Sequence, residues 1–344
     1  MDANPLDPEP LFEEQNSDIA LRPRSFAEFV GQDRVKSNLK VYIRAARMRD
    51  DPLDHLLLSG LPGLGKTTLA EIVAREMDAS LNCTSGPALE KPGDLAGVLT
   101  NLERGDVLFI DEIHRLPASV EEFLYSAMED FTIDIVLDQG PRGRSVRLDI
   151  QRFTLVGATT REGMLSPPFR DRFGVLERLE PYPIAELELI LERSAKLLGV
   201  NLDPDGCRTL AAQARGTPRV ANRFLRRIRD LAQVESAAVI DQELAGRGLA
   251  MLGVDKVGLL RVDRMVLETI ALAEGQPVGL RTIAVSVGED DRTIEDVYEP
   301  HLIRCGYLLK TARGRQLTAR GYEVLGAKPA SAQSRQPELF DGLE

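Results

Sequence analysis

The stretch from His55 to Thr68, HLLLSGLPGLGKTT, constrains this chain more than any other. Leu56-Leu57-Leu58 reads as a short buried strand, and Leu69-Ala70-Glu71-Ile72-Val73-Ala74 as helix. Between them Gly60-Leu61-Pro62-Gly63-Leu64-Gly65-Lys66-Thr67 fits G-x-x-x-x-G-K-[ST] at every fixed position. A strand, a glycine-rich loop and a helix in this order form the context in which that pattern holds phosphate. The glycines let the backbone turn tightly enough to aim N–H groups at phosphate oxygens, and the helix N-terminus adds its partial positive charge. In that role Lys66 would neutralise the β- and γ-phosphates of ATP, and the Thr67 hydroxyl would bind Mg²⁺. The competing reading, a glycine-rich turn with a chance lysine, must also account for the rest of the chain.

Two further strand ends carry chemistry. Val107-Leu108-Phe109-Ile110 is an apolar run that stops at Asp111-Glu112, 45 residues beyond Lys66. After a phosphate loop, the first carboxylate at such a strand end holds the metal shell and the second can polarise an attacking water. His114, just beyond, is read as structural. Phe153 to Ala158 is another buried strand, whose end presents the Thr159 and Thr160 hydroxyls beside the expected γ-phosphate. Arg170-Asp171-Arg172 follows; an isolated arginine is usually solvated or ion-paired, but this pair could reach a neighbouring subunit's phosphate. Strands alternating with helices predict an α/β P-loop domain with a parallel sheet.

Between the acidic strand and the next core strand lies an alternating stretch. Ile133, Ile135 and Leu137 share one face; Val146, Leu148 and Ile150 alternate with Ser145, Arg147 and Asp149; Gly140-Pro141-Arg142-Gly143 lies between. This period of two predicts a β-hairpin over 132–150, an excursion whose apolar stripe is either core or a docking surface.

Pro181-Tyr182-Pro183 marks a domain break. Leu187, Ile190, Leu191, Leu197 and Leu198 then recur at helical spacing, and Gly216-Thr217-Pro218-Arg219 is a helix start with Arg219 in its first turn. These features predict a small helical domain. From about Val254 three helices are followed by Tyr307-Leu308-Leu309-Lys310 and Arg315-Gln316-Leu317-Thr318 around Ala312-Arg313-Gly314, the pattern of a winged helix with a basic wing. Pro300 must kink or restart the third helix.

Charge placement sharpens this. The chain carries a net −11, which taken alone argues against nucleic acid. Residues 2–18 hold six acids and no base, whereas Arg215, Arg219, Arg223, Arg226, Arg227 and Arg229 have no acid among them. A second acid-free run from His301 to Tyr322 contains Lys310, Arg313 and Arg315. Two basic islands suit local phosphate contacts. No apolar run is long enough to cross a bilayer, and no basic region followed by an apolar one marks a signal peptide. Cys83, Cys207 and Cys305 lie far apart, as expected in a reducing cytoplasm. The expected organisation is a tail over 1–20, a large ATPase domain over 21–182, a helical domain over 183–253, a winged helix over 254–327 and a tail over 328–344.

The combination resembles the RuvB family of Holliday junction branch-migration motors, of the AAA+ class. The likeness runs from about Ala20 to Gly326. It rests on Asp54-His55-Leu56-Leu57, Thr84-Ser85-Gly86-Pro87, Leu99-Thr100-Asn101-Leu102-Glu103, Asp111-Glu112-Ile113-His114-Arg115-Leu116, Gly157-Ala158-Thr159-Thr160-Arg161, Gly216-Thr217-Pro218-Arg219 and Thr293-Ile294-Glu295-Asp296-Val297. The resemblance implies a homohexameric ring with ATP and Mg²⁺ between subunits. By family pattern, Leu21, Arg22, Gly63, Lys66, Thr67, Thr68, Tyr182 and Arg219 contact nucleotide, with Arg219 the second sensor. Asp111 and Glu112 are the acidic pair, Glu129-Asp130-Phe131 borders the site, Thr160 is the first sensor and Arg172 the arginine finger given in trans.

Arg292, Lys310, Arg313 and Arg315 match DNA contacts, and Val146 and Leu148 match the residues that dock RuvA. The resemblance also implies duplex DNA at Holliday junctions as substrate, RuvC as a further partner, and a role in recombination and in repair under the SOS response. Departures are Leu61, where many relatives have Pro, and Lys310, where many have Arg; Thr160 matches the first sensor, where many AAA+ relatives carry Asn. Lys310 keeps the charge and loses the planar fork. A clamp-loader-type AAA+ assembly factor is the alternative, against which stand Arg170-Asp171-Arg172 in the finger region and the scattered cysteines. Gln336-Pro337-Glu338-Leu339-Phe340 resembles peptides that dock on the bacterial sliding clamp, and a chance match in a polar tail is the competing reading.

Overall fold

The computed structural model describes residues 20–136 and 145–327. The acidic N-terminal run, Leu137 with the hairpin turn around Gly140–Gly143, and the Gln336–Phe340 segment lie outside the described residues. The chain packs as two compact units, Met1–Gly246 and Arg247–Glu344.

The first unit is built on five parallel strands: β1 (Leu56–Ser59), β2 (Leu81–Ser85), β3 (Val107–Asp111), β6 (Thr154–Thr159) and β7 (Val175–Arg178), in the order β2-β3-β6-β1-β7. The central strands β1, β3 and β6 are buried along almost their whole length, which is why their sequences are continuous apolar runs. Strand β7, at an edge, alternates buried and exposed. Helices α1 (Asp33–Arg49), α2 (Lys66–Glu76), α3 (Pro92–Leu99) and α4 (Ala118–Glu129) connect or flank the strands. Leu95 and Leu99 of α3, Leu124 of α4, Leu108 and Ile110 of β3, and Phe153, Phe169 and Phe173 form one apolar cluster.

Register places the chemistry. Ser59 pairs with Thr159, and Ile110 with Gly157, so the loops after β1, β3 and β6 leave from one edge of the sheet. His55, just before β1, ties the layers together. Its Nδ1 accepts the Leu155 N–H at 2.9 Å, so Nε2 carries the proton and donates to the Met128 carbonyl of α4 at 3.1 Å. Burial holds the imidazole below its ordinary pKa, which favours this neutral form.

Strands β4 (Thr132–Val136) and β5 (Ser145–Asp149) pair antiparallel as a separate two-stranded sheet, the expected excursion. Ile133 is buried, whereas its partner Leu148 and the nearby Val146 are 38% and 39% exposed. The apolar stripe therefore runs from the core out to the surface. Arg147 and Asp134 pair beside it.

After the short helix α5 (Pro167–Arg170) and β7, the chain enters the helices α6 (Ile184–Leu198), α7 (Pro204–Gln213), α8 (Pro218–Val234) and α9 (Gln242–Met251). Beyond Arg219, three arginines of α8 are buried or paired. Arg226 is buried, and Arg227 and Arg229 both pair with Asp230, an acid that lies just beyond the acid-free run.

The second unit has the three helices and wing expected. Helix α10 (Arg261–Ala271) buries Val266, Leu267 and Ile270; α11 (Leu280–Val287) buries Ile283 and Ala284. The third helix comes in pieces: α12 (Asp291–Thr293), a π-helical turn (Ile294–Tyr298) and α13 (Glu299–Arg304). Pro300 has no N–H to give the preceding turn and its ring needs room there, and the widened turn supplies it. Strands β8 (Leu308–Thr311) and β9 (Gly314–Leu317) form the wing, with Lys310 opposite Arg315 and Arg313 in the exposed turn. Helix α14 (Ala319–Leu325) follows.

Arg315 departs from its expected role. Its Nε and Nη2 both donate to Glu299, the latter at 3.1 Å, and Glu299 is 2% exposed. The charge that read as part of a basic wing instead fastens the wing to α13. Removing one partner of a buried pair strands the other charge, at a cost of about 3–5 kcal/mol. Glu299→Ala should therefore lower the unfolding free energy by about 3 kcal/mol, measured by urea denaturation. A loss under about 1 kcal/mol would mean that the Arg315 guanidinium finds water or Glu295 instead.

Candidate functional site

The phosphate-loop motif closes one end of a cleft in the first unit. The cleft is open to solvent and lined by the phosphate loop, the end of β3 and the start of α8. Its walls bring together Leu21, Arg22, Gly63, Lys66, Thr67, Thr68, Asp111, Glu112, Tyr182 and Arg219, ten of the residues singled out from sequence.

The loop geometry follows from its glycines. Gly63 has φ +77°, and a Cβ there would stand 2.9 Å from Arg219 Cβ. Glycine thus allows both the turn and the close approach of the helical domain, whose Arg219 N–H reaches the Gly63 carbonyl at 3.5 Å. Tyr182 reinforces the contact: its hydroxyl donates to the Leu64 carbonyl at 3.3 Å.

Lys66 is buried, and its ammonium donates to the Gly60 and Leu61 carbonyls at 2.8 and 3.0 Å. Burial pushes it down to about 8, opposed by the Asp111 and Glu112 charges and helped by Arg219. A triphosphate entering the cleft would supply the counter-charge that the buried ammonium lacks.

At the sheet edge, Glu112 sits in the left-handed region at φ 49°. A non-glycine residue there costs about 1–3 kcal/mol, strain of a kind that gathers at functional sites. The Thr160 hydroxyl donates to Glu112 Oε2 at 3.4 Å. His114 Nδ1 lies 3.3 Å from the same oxygen and 3.0 Å from Thr159 Oγ1. Burial first, then the Asp111 charge, raises the Glu112 pKa above the usual carboxylate range. A carboxylate so raised is better suited to take a proton from water than a solvated one. Thr67 and Asp111 offer the hard oxygen donors that Mg²⁺ prefers.

Several contributors escaped the sequence reading. His114, read as structural, holds the Glu112 carboxylate. Arg193 of α6 donates to the Leu21 carbonyl at 2.7 Å and to Glu28 at 2.8 Å, anchoring the N-terminal segment over the cleft. Glu71 pairs with Arg22. Arg193 and Glu71 lie within amphipathic helices, where a charged residue carries no motif.

The remaining expected residues lie elsewhere. Glu129, Asp130 and Phe131 end α4 and do not line the cleft; Arg172 stands with Glu129, their Nε and Oε1 3.1 Å apart. In the second unit Arg292 is exposed near the start of α12, Arg313 is exposed in the wing turn, and Lys310 pairs with Glu295 at 2.6 Å.

Comparison with known proteins agrees across the chain. Three family models match in succession: the Holliday junction DNA helicase RuvB P-loop domain over residues 21–179, the RuvB AAA lid domain over 182–255, and the RuvB C-terminal winged helix domain over 256–326. Among solved structures, a Thermotoga maritima RuvB described as a Holliday junction branch migration motor is 47% identical, with TM-score 0.82; the match covers 90% of this chain and 99% of that one. A single-substitution variant of the Thermotoga maritima protein matches at 47% identity and TM-score 0.83, over the same shares.

The Lys66 environment makes a pH prediction. Below about pH 8 the ammonium is charged in both the empty and the nucleotide-filled cleft, and no proton moves there. Above it the empty site is neutral, and triphosphate draws the proton back. Calorimetry in two buffers of different ionisation enthalpy should show proton uptake approaching one per site at pH 9, with affinity falling about tenfold per pH unit. In Lys66→Arg, whose guanidinium does not titrate there, the uptake should vanish. Equal uptake by both proteins at pH 9 would contradict the assignment.

Proposed function

The chain belongs to the RuvB family of Holliday junction branch-migration motors and is a P-loop ATPase; on that footing we propose that it works as a homohexameric ring that translocates duplex DNA. The ring would act on Holliday junctions with RuvA, and with RuvC at resolution, in recombination and repair. One observation carries the ring: Arg172, the arginine finger of the family pattern, stands on Glu129 while its own chain's cleft is walled by the cations Lys66 and Arg219. A site with its finger on another face is completed by a neighbouring copy.

Within each site, Gly63, Lys66, Thr67 and Thr68 hold the phosphates. Thr67 and Asp111 would hold Mg²⁺, which would screen the phosphate charge. Glu112, steadied by Thr160 and His114, takes a proton from the attacking water. Arg172 of the neighbour, bordered by Glu129, Asp130 and Phe131, stabilises charge on the transferring phosphoryl group. Leu21, Arg22 and Tyr182 hold the base and ribose side. Arg219 reports the γ-phosphate to the helical domain through its contact with Gly63. Hydrolysis would then shift the helical domain against the sheet.

The wing reads DNA by phosphate charge. Arg313 and Arg292 offer exposed guanidinium groups, with Lys310 joining them once it exchanges Glu295 for phosphate. Arg315 is left to hold the wing. Val146 and Leu148 form the apolar spot for RuvA. The clamp-loader alternative recedes, since all three domain matches are to the RuvB family. No described helix is long and apolar enough to cross a membrane.

The test is ATP-dependent processing of a synthetic four-way junction. With RuvA present the protein should migrate the branch point, and Lys66→Ala should abolish both migration and hydrolysis. A junction left untouched while ATP is hydrolysed would defeat the reading. Arg313→Glu should weaken duplex binding, by about 1–2 kcal/mol for one lost phosphate contact turned repulsive, while hydrolysis without DNA persists. Unchanged binding across salt concentrations would remove Arg313 from the DNA surface.

A further inference from the structure

Arg172 is held more closely than an arginine waiting in solvent. Its guanidinium carbon stands 4.0 Å from the centroid of the Tyr125 ring. Nη1 donates to the Pro168 carbonyl at 2.5 Å, and Nε lies 3.1 Å from Glu129 Oε1 without hydrogen-bond alignment. The side chain is 21% exposed. Tyr125 and Glu129 are four residues apart on α4 and so share a face.

The ring is itself fixed. The Tyr125 hydroxyl donates to Glu121 Oε1 at 2.7 Å and lies 3.1 Å from Ser166 Oγ, while the Ser166 hydroxyl donates to that same Glu121 oxygen. Phe169 packs on the ring with centroids 5.9 Å apart. Ser166 also caps α5, accepting the Phe169 N–H, so one small cluster fixes both the ring and the helix from which Arg172 emerges.

We propose that Tyr125 is a positioning residue for the arginine that each subunit gives to its neighbour's ATP; the inference rests on the trans role of Arg172. A free arginine samples many rotamers, and part of that freedom is lost when it is placed on a phosphate. A partly desolvated cation–π stack meets that loss beforehand. Stacking occupies a face of the guanidinium, and the N–H donors project in its plane, so the group is oriented without using up the edge that meets oxygen. Misplacing a catalytic group by about 1 Å can cost about 10² in rate, so the gain from a fixed ring falls on turnover.

Mixed rings separate this role from a structural one. Chains with Lys66→Ala keep the finger and lose their own site; chains with Arg172→Ala keep the site and lose the finger. Each should be inactive alone, and their mixture should recover ATP hydrolysis. Adding Tyr125→Leu to the Lys66→Ala chain should lower the recovered kcat about tenfold or more with KM for ATP unchanged. The same change on the Arg172→Ala chain should move kcat by less than about twofold, because that chain has no finger to position. Tyr125→Phe on the Lys66→Ala chain keeps the ring and should retain most of the recovered rate. Every variant is first matched to its parent by thermal melting, and Tyr125→Phe carries the comparison if Tyr125→Leu melts early: a drop with Tyr125→Phe as large as with Arg172→Ala overturns the proposal. Equal loss from Tyr125→Leu on either chain, or none on the Lys66→Ala chain, also overturns it. No recovery in the unmodified mixture defeats the trans reading of Arg172 itself, and the positioning role with it.

Discussion

The pairing of β1 with β6 is the constraint on which the rest depends. Ser59 opposite Thr159 sets where the phosphate loop leaves the sheet relative to Thr160, and the neighbouring β3–β6 register sets where Asp111 and Glu112 stand. A strand buried on both faces has no solvent side to slide toward, and a shift of one residue would exchange its entire set of packed side chains. The apolar runs therefore do more than fill a core. They hold an ammonium, two carboxylates and a hydroxyl at one edge, to a tolerance that loops alone would not give.

Around that edge the charges are mutually dependent. Lys66 is held by loop carbonyls, and the nearby acids oppose the lowering of its pKa by burial; burial, then Asp111, pushes the Glu112 pKa up. An arriving anion gives the buried ammonium a counter-charge, whereas the carboxylates gain only from a cation. The helical domain shares in this, because the contact of Arg219 with the glycine-bare backbone at Gly63 places it directly on the loop that receives phosphate. The small domain is thus part of the site's wall.

What the sequence reveals divides by physics. Residues at the ends of buried strands, or in a glycine loop, were legible because local pattern fixes where they stand. Lys66, Asp111 and Glu112 fall together in the cleft for that reason, with Thr160 bonded to Glu112. Residues whose partner lies far along the chain were not. Arg193 meets Leu21 across 172 positions, and Tyr125 meets Ser166 across 41, with nothing in either neighbourhood to announce it. Arg315 shows the converse error. Its basic surroundings suggested an open charge, but Glu299, 16 residues earlier, faces it across the fold. Composition counts charges; only the fold says which are already spoken for. The wing's strands and turn were predicted because period and glycine are local, whereas the ion pair beneath them is a tertiary fact.

His55 carries a consequence beyond packing. Its ring accepts from β6 on one side and donates to the last turn of α4 on the other, one proton fixing both bonds. That last turn leads straight to Glu129, the neighbour of the Arg172 guanidinium. The imidazole therefore ties β6 to the helix end that stands beside Arg172. Protonating the imidazole would cost the Leu155 bond, so the tie between β6 and α4 holds in only one protonation state of a single ring.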